Sequence, residues 1–410
     1  MNVELVTIGT ELLLGFTVDT NAAEIAQALA AAGVRVVRRA TVGDEGDAIR
    51  NAVAEALARS GAVITTGGLG PTRDDITKTA IAGLLGRRLV LDEQVLAALE
   101  DRFRRIGRWP MPAVNRSQAE VPEGALALSN RWGTAPGLWL EDGPRLVVML
   151  PGVPREMRGL LAESVVPRLA RRTGGAGAVR SVVVRTTGIP ESALAERLAH
   201  LEDTIPPLTL AYLPAVTGVD LRLTAWQGGA DHDALLADAS ARLAEACGPH
   251  CYGRDDDDLA AVVLALLRAS GRKLAVAESC TGGLVGARLT AIPGASDVFV
   301  GGLIAYDNLI KTELLGVPEP VLEAHGAVSE EAVRAMAAAA QQAFDAWATV
   351  AVTGIAGPSG GTPEKPVGTV WLAAATGERV TTRRRVFPGD RDEIRQRSAQ
   401  AALDLLRRGL

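Results

Sequence analysis

At 410 residues, 48% of them hydrophobic, the chain exceeds one ordinary domain and can fill two or three cores. A formal net charge of −5 gives no global electrostatic support to non-specific nucleic-acid binding. Three cysteines, Cys247, Cys251 and Cys280, make no disulfide framework and fit a reducing cytoplasm. Cys247 and Cys251 flank His250, but with only four histidines in the chain there is no second ligand cluster, which excludes zinc. No run of about eighteen apolar residues marks a membrane span. The first residues lack the basic start and long apolar core of a signal peptide.

In chain order, residues 3–9 predict a short buried strand, 10–15 a turn, and 21–32 an amphipathic helix stopped at Gly33. Residues 34–40 and 48–59 predict a second strand and helix. A third strand, 62–66, runs at once into Gly67-Gly68-Leu69-Gly70-Pro71-Thr72, and a helix follows over 75–85. Strand and helix alternating across short links predict a parallel sheet covered by helices. Residues 92–107 read as a charged helix, 108–137 as irregular, 145–150 as a strand and 156–171 as a helix. The stretch 173–177 reads as a flexible link.

From 179 to 252 the order strand, helix, strand, strand, helix, strand suits a small α+β domain. The run Asp255-Asp256-Asp257-Asp258 reads as a solvated linker that favours the next helix start, rather than as a metal site. The last part predicts a helix over 259–269, strands at 273–277, 297–305 and 348–353, and a long helix capped by Ser329. A hairpin of 367–375 with 380–387 and a helix after Asp390 complete it. The expected fold is α/β in three domains, 1–173, 178–253 and 258–410. Two α/β domains with mostly parallel sheets are joined by a small α+β module.

Two loops carry candidate chemistry. The glycines of 67–72 let backbone N–H groups approach an anion at a helix start. Gly-Lys-Ser/Thr is missing, so this is not a Walker loop. Asp74 and Asp75 follow, and carboxylates beside a phosphate loop suit a hard divalent cation. The same residues read equally well as a glycine turn with Asp75 as a helix cap.

In the last domain an apolar run stops at Glu278-Ser279-Cys280-Thr281-Gly282-Gly283 before a helix. Strand, tight turn and helix can expose backbone donors and a nucleophile, though they also describe an ordinary capped turn. Tyr306, Asn308 and Lys311 stand at Y-x-N-x-x-K spacing, where a helix start can present several of them on one face. The loop 353–361 supplies further backbone donors. No histidine is placed to serve a serine, since His325 reads as a turn residue. A serine nucleophile can instead use a neutral lysine as base, and burial lowers a lysine pKa toward that state. Composition alone would put Lys311 on the surface.

These segments carry resemblances. Gly9-Thr10-Glu11-Leu12-Leu13, Asp19-Thr20-Asn21, GGLGPTRDD at 67–75, Asn115-Arg116, Gly133-Thr134-Ala135-Pro136-Gly137 and Leu150-Pro151-Gly152-Val153-Pro154 resemble molybdopterin-binding domains. They are more closely similar to the N-terminal domain of the CinA family. The resemblance implies an ADP-ribose pyrophosphatase dependent on Mg, Mn, Co or Ni. It points to Gly67, Gly68, Gly70, Thr72, Asn21, Asn115 and Thr134 for substrate, and to Asp74, Asp75 and Glu11 for metal. Residues 179–252 resemble the KH-like module that follows in CinA proteins. KH domains bind RNA through a GxxG loop, which the link Thr187-Gly188-Ile189-Pro190-Glu191-Ser192 lacks. Nine acids against five arginines and no lysine argue against phosphate-backbone binding, so a spacer or dimer contact is expected.

AESCTGG at 277–283, Tyr306-Asp307-Asn308 with Lys311, HGAVSE at 325–330, TGIAGPSGGTPEKPVGTVW at 353–371, and FPGDR at 387–391 with Arg395 resemble the C-terminal CinA domain. That domain is the nicotinamide-mononucleotide deamidase family. The resemblance implies attack by Ser279 Oγ on the substrate carboxamide, Lys311 as general base, Tyr306 relaying or positioning the proton, and no cofactor. Oxyanion donors are expected at Thr281, Gly282 or Gly283, or near Gly354. Asn308, Thr353, Gly357, Arg391 and Arg395 are further expected substrate contacts, the arginines for its phosphate. Cys280 is the rival nucleophile. The implied protein is a bifunctional enzyme of pyridine-nucleotide salvage, a cytoplasmic homodimer acting on nicotinamide mononucleotide and ADP-ribose, with no membrane or nucleic-acid partner. The competing readings are a non-catalytic competence or DNA-damage interaction protein, and a molybdopterin enzyme in the first domain.

Overall fold

The computed structural model describes residues 1–173, 179–226 and 230–410. Beyond Thr173, the link expected over 173–177 lies outside the described residues. Contacts divide the chain into two units, Met1–Arg180 with Ala225–Asp233, and Ser181–Thr224 with Ala234–Leu410. No described helix is long and apolar enough to cross a membrane.

The apolar runs of the first unit are short and nearly uninterrupted, the pattern of strands covered on both faces. Six strands lie in the order Arg35–Val42, Asn2–Ile8, Ala62–Thr66, Arg145–Leu150, Gly137–Asp142, Leu126–Leu128. The first four are parallel, and Gly137–Asp142 pairs antiparallel with Arg145–Leu150 on one side and Leu126–Leu128 on the other. Alternate residues of one strand feed two cores. Leu146 and Val148 join Ile25, Leu29 and Met157, while Val147 and Met149 join Ile49, Val53 and Ile81.

Three local expectations change here. The turn at 10–15 opens with a short helix, Thr10–Leu13. The strand Gly137–Asp142 is absent from the predicted elements, although Asp142-Gly143 between two apolar runs is a hairpin signal. Gly143 supplies the positive φ of 60° that this turn needs. The helix expected over 156–171 is Pro154–Leu160, a wide π turn Leu161–Val165, then Val166–Thr173. Pro167 offers no N–H and crowds the carbonyl four residues earlier, so the ladder widens before it.

The middle module keeps the expected order, with strands side by side as Thr209–Ala215, Gly218–Ala225, Arg180–Thr186, Cys251–Arg254. Three acids of the run 255–258 have backbone partners. Asp255 accepts from the amide of Val183, Asp257 from that of Arg254, and Asp258 caps the helix Leu259–Ala269 through Ala260.

The last sheet has the order Phe299–Ile304, Leu274–Glu278, Ala348–Gly354, Thr369–Thr376, Arg379–Val386. Its first three strands are parallel and its last two form the expected antiparallel hairpin. Ser329 caps the helix Glu330–Ala343 by accepting from Ala332. The parallel strands end at Glu278, Ile304 and Gly354, and the chain reverses its direction across the sheet around Leu274–Glu278. Ligand sites of open α/β sheets lie outside the carboxyl ends of strands at such a reversal.

Candidate active sites

Three strand ends, one helix start and one long loop build the C-terminal site. The strand Leu274–Glu278 ends in a carboxylate that is 1% exposed. It accepts the amides of Gly283 at 3.0 Å, Val285 at 3.0 Å and Gly286 at 2.8 Å. Glu278 thereby takes up the amides at the start of the helix Leu284–Thr290, where a negative charge also meets the helix dipole. Gly282 and Gly283 hold φ of 60° and 94°, a conformation costly for any other residue. The turn is tied to the sheet by the Ser279 amide on the Val352 carbonyl at 2.9 Å. Ser279 is 8% exposed.

This arrangement corrects the expected oxyanion donors. Gly283 donates to Glu278, and Gly282 donates to the Ser279 carbonyl at 3.0 Å. Of the three amides proposed, only that of Thr281 has no such partner among the described residues. The Thr281 hydroxyl is buried and also without a partner among them.

Lys311, a surface residue on composition, is 1% exposed. Its Nζ donates to the Tyr306 carbonyl at 3.0 Å. Burial pushes its pKa below the ordinary 10.5, against the opposing pull of Asp307. Tyr306 meets Lys311 through its backbone rather than its phenol. Its carbonyl holds Lys311, while its exposed phenol accepts from Arg391 at 2.7 Å, and no hydrogen bond joins that phenol to Lys311. Ser279 and Lys311 are likewise not hydrogen-bonded to each other. Catalytic contacts of ligand-free sites are often loose and tighten on the substrate.

Two arginines of the helix Arg391–Arg407 draw the loops together. Arg391 also donates to the Gly357 carbonyl at 2.6 Å, and Arg395 reaches the Thr281 carbonyl at 3.0 Å. Each guanidinium has five donors, so several stay free for an anion. Ser279, Thr281, Tyr306, Lys311, Gly357, Arg391 and Arg395 are therefore linked through the turn, the Tyr306 loop and the 354–361 loop. Asn308 stands exposed at the start of the helix Asn308–Glu313. Thr353 is buried, and its hydroxyl holds the Ala327 carbonyl at 2.7 Å. Gly354 closes the neighbouring strand, paired with Val370. Burial pushes the Cys280 thiol up to about 12, which keeps it protonated at neutral pH and a poor nucleophile beside Ser279.

In the first unit the glycine loop is shaped by its own packing. A Cβ at Gly67 would lie 2.0 Å from the Ile8 carbonyl oxygen, and one at Gly68 would lie 2.1 Å from Thr77 Oγ1. Asp75 accepts from the amides of Gly70 at 2.7 Å and Thr72 at 2.8 Å, and from the Thr72 hydroxyl at 2.5 Å. The Gly67 amide is on the Leu150 carbonyl at 3.0 Å. Three of the loop amides expected to hold a diphosphate are thus engaged internally. Asp75→Ala is expected to lower stability by about 1–2 kcal/mol, because these donors lose their acceptor. Urea denaturation reads this, and an unchanged midpoint would show the brace to be idle.

The expected metal ligands do not fit a metal as they lie. Asp75 is the brace. Glu11 folds back on its own turn, its carboxylate 2.6 Å from where a Gly9 Cβ would stand. Asp74 is exposed, and hydrogen bonding within the loop keeps its carboxyl below the usual range. Among the described residues no three His, Cys, Asp or Glu side chains form a metal-holding group.

A polar network does surround the loop. Asn115 donates to Gln118 at 2.9 Å, and Gln118 to Thr134 at 3.2 Å. Asn21 donates to the Gly152 carbonyl at 2.8 Å, and its own buried oxygen has no partner among the described residues. Lys78 is 6% exposed and donates to the Ser117 carbonyl. Burial pushes its pKa down, while Glu120 and Asp75 pull it up. A cavity of about 560 Å³ touches this region at Gly133 and Thr134 without reaching the 67–75 loop.

Comparison with known proteins follows this division. Residues 4–171 match the family described as probable molybdopterin binding domain, 181–253 the damage-inducible protein CinA KH domain, and 256–410 the CinA C-terminal domain. A CinA-like protein of Gemmatimonas aurantiaca is 56% identical over 411 residues, covering 100% of this chain and 96% of that protein. The chain belongs to the CinA family. Another CinA-like protein, of Geobacter metallireducens, is 44% identical over 412 residues, covering 100% of this chain and 99% of its own. A solved structure, the competence/damage inducible protein CihA of Agrobacterium tumefaciens, is 41% identical and covers 36% of this chain and 91% of its own, with a TM-score of 0.35.

Three residues of this CinA-family chain stand outside the predicted site set. Glu278 was legible only as the acid ending an apolar run. Lys78 sits three residues after Asp75, in the first turn of the helix Thr77–Leu84. Gln118 follows Asn115 at the same spacing, and nothing in its neighbourhood marks it.

Proposed function

We propose that the C-terminal domain hydrolyses the carboxamide of nicotinamide mononucleotide to the carboxylate and ammonia. The observation that carries this reading is a buried Lys311, its pKa lowered, held beside the loop that meets the Ser279 turn. Neutral Lys311 takes the Ser279 proton as Oγ attacks the carboxamide carbon. The oxyanion is met by the Thr281 amide. The lysine proton passes to the leaving nitrogen, ammonia departs, and water hydrolyses the acyl-serine with Lys311 again as base. Arg391 and Arg395 face the substrate phosphate. An interaction protein has no use for a desolvated lysine beside a serine turn, which weighs against the scaffold reading.

A second reading concerns the first domain, where Lys78, the Asn115–Gln118–Thr134 network and the orphaned Asn21 oxygen favour a nucleotide diphosphate at the 67–75 loop. Cleavage of ADP-ribose there is part of the same proposal. The cytoplasmic homodimer and the spacer role of the middle module belong to it also. Incubation of the purified chain with nicotinamide mononucleotide and ADP-ribose, with and without chelator, tests both readings. Ammonia release is expected to survive chelation, and release of AMP from ADP-ribose is expected of the first domain. Absence of ammonia release, or full release by Ser279→Ala, would sink the deamidase reading.

A further inference from the structure

A second concavity lies in the Ser181–Leu410 part of the chain, apart from the Ser279 turn. The turns at 187–190 and 215–218 of the middle module form one wall, and the strand Arg379–Val386 and the later half of the helix Arg391–Arg407 form the other. Its volume is about 680 Å³, within the range of small-molecule sites. Arg383, Arg385, Arg397 and Arg408 line it, with Asp404 and Glu191 as the carboxylates. Asp404 is engaged by Arg407 at 2.7 Å and Arg408 at 2.8 Å. Arg383, Arg385 and Arg397 have no ion pair among the described residues. Burial and the nearby Arg383 and Arg408 push the Arg385 guanidinium down, against the opposing pull of Asp404.

Two buried polar atoms in this lining have no partner among the described residues, Arg397 Nε and Gln400 Oε1, and Gln400 is 3% exposed. Buried donors and acceptors are rarely left unpaired. Phe387, Ile189 and Ala401 give the cavity apolar surface beside these groups. None of its residues belongs to the candidate deamidase set.

We propose that this cavity binds a phosphorylated small molecule of mononucleotide size, its phosphate among the arginines and its polar ring at Gln400 and Arg397. Guanidiniums without an ion pair select the phosphate, and the orphaned pair with apolar walls selects a ring that can both donate and accept. The acidic balance of the middle module weighs against a nucleic-acid strand here. Because its walls come from both parts, the ligand ties the module to the domain. The helix Arg391–Arg407 carries Arg391 and Arg395 at its start and the cavity residues beyond, so one rigid element touches both sites.

Hydrogen–deuterium exchange on the full chain tests this, with AMP and inorganic phosphate as separate probes. AMP is expected to protect the strand Arg379–Val386 and the 187–190 turn, at concentrations at least about tenfold below those phosphate requires. Arg385→Gln, on an exposed strand position, is expected to weaken that protection about tenfold, and Arg385→Gln with Arg397→Gln to abolish it. Absence of AMP protection at these segments would overturn the proposal. Equal potency of phosphate, or protection unaltered in Arg385→Gln, would overturn it too. A site occupied by AMP in the first unit would change exchange elsewhere and is distinguished by position.

Discussion

Lys311→Met is expected to cut release of ammonia from nicotinamide mononucleotide by about 10³-fold or more, because the serine loses the base that takes its proton. The substitution keeps the volume and apolar stem while removing the amine. The pH dependence gives a second readout. Burial lowers the Lys311 pKa, so the neutral base form grows as pH rises and the wild-type rate climbs through a limb below 10.5. That limb should be missing from the residual rate of the variant. Stability moves in the same sense. Below the lowered pKa, folding must bury the charged form, and this penalty fades as pH rises toward 10.5. Wild-type stability is therefore expected to increase over that window, and that of Lys311→Met is not. Unaltered turnover in the variant would remove Lys311 from the mechanism.

Glu278→Ala is expected to destabilise the C-terminal domain by about 3 kcal/mol, since three amides at one helix start lose their acceptor together. Glu278→Gln retains one acceptor oxygen but turns two donors toward the same amides, so a loss of about 2 kcal/mol is expected. Urea denaturation reads both, and hydrogen exchange should show faster opening of the helix Leu284–Thr290. The deamidation rate is expected to fall with them, because the Ser279 turn is shaped by the carboxylate its glycines close around. A Glu278→Ala loss below about 1 kcal/mol would show that water serves those amides equally well.

Some of this was legible because it depends on near neighbours. Asp258, Ser329 and Asp390 each cap the helix their position announces, since a cap bonds amides two or three residues on. The strands Ala62–Thr66 and Arg145–Leu150 coincide with their apolar runs. The candidate nucleophile and base were likewise visible as motifs. Where two local readings competed, the structure separated them. Asp75 turned out to hold its own loop, and Tyr306 turned out to meet Lys311 through its carbonyl.

By itself the sequence determined the order of elements, their caps, the glycine turns and the family, since these rest on propensity, periodicity and motifs within short stretches. Only the tertiary structure decided that Lys311 is buried, that Cys280 keeps its proton, that Glu278 consumes the helix-start amides, and that guanidiniums more than a hundred residues from the middle module face its turns. The physical reason is common to all four. Desolvation and long-range hydrogen bonds depend on which distant segments pack together, and a side chain's charge state and partners follow from that packing rather than from its neighbours in the chain.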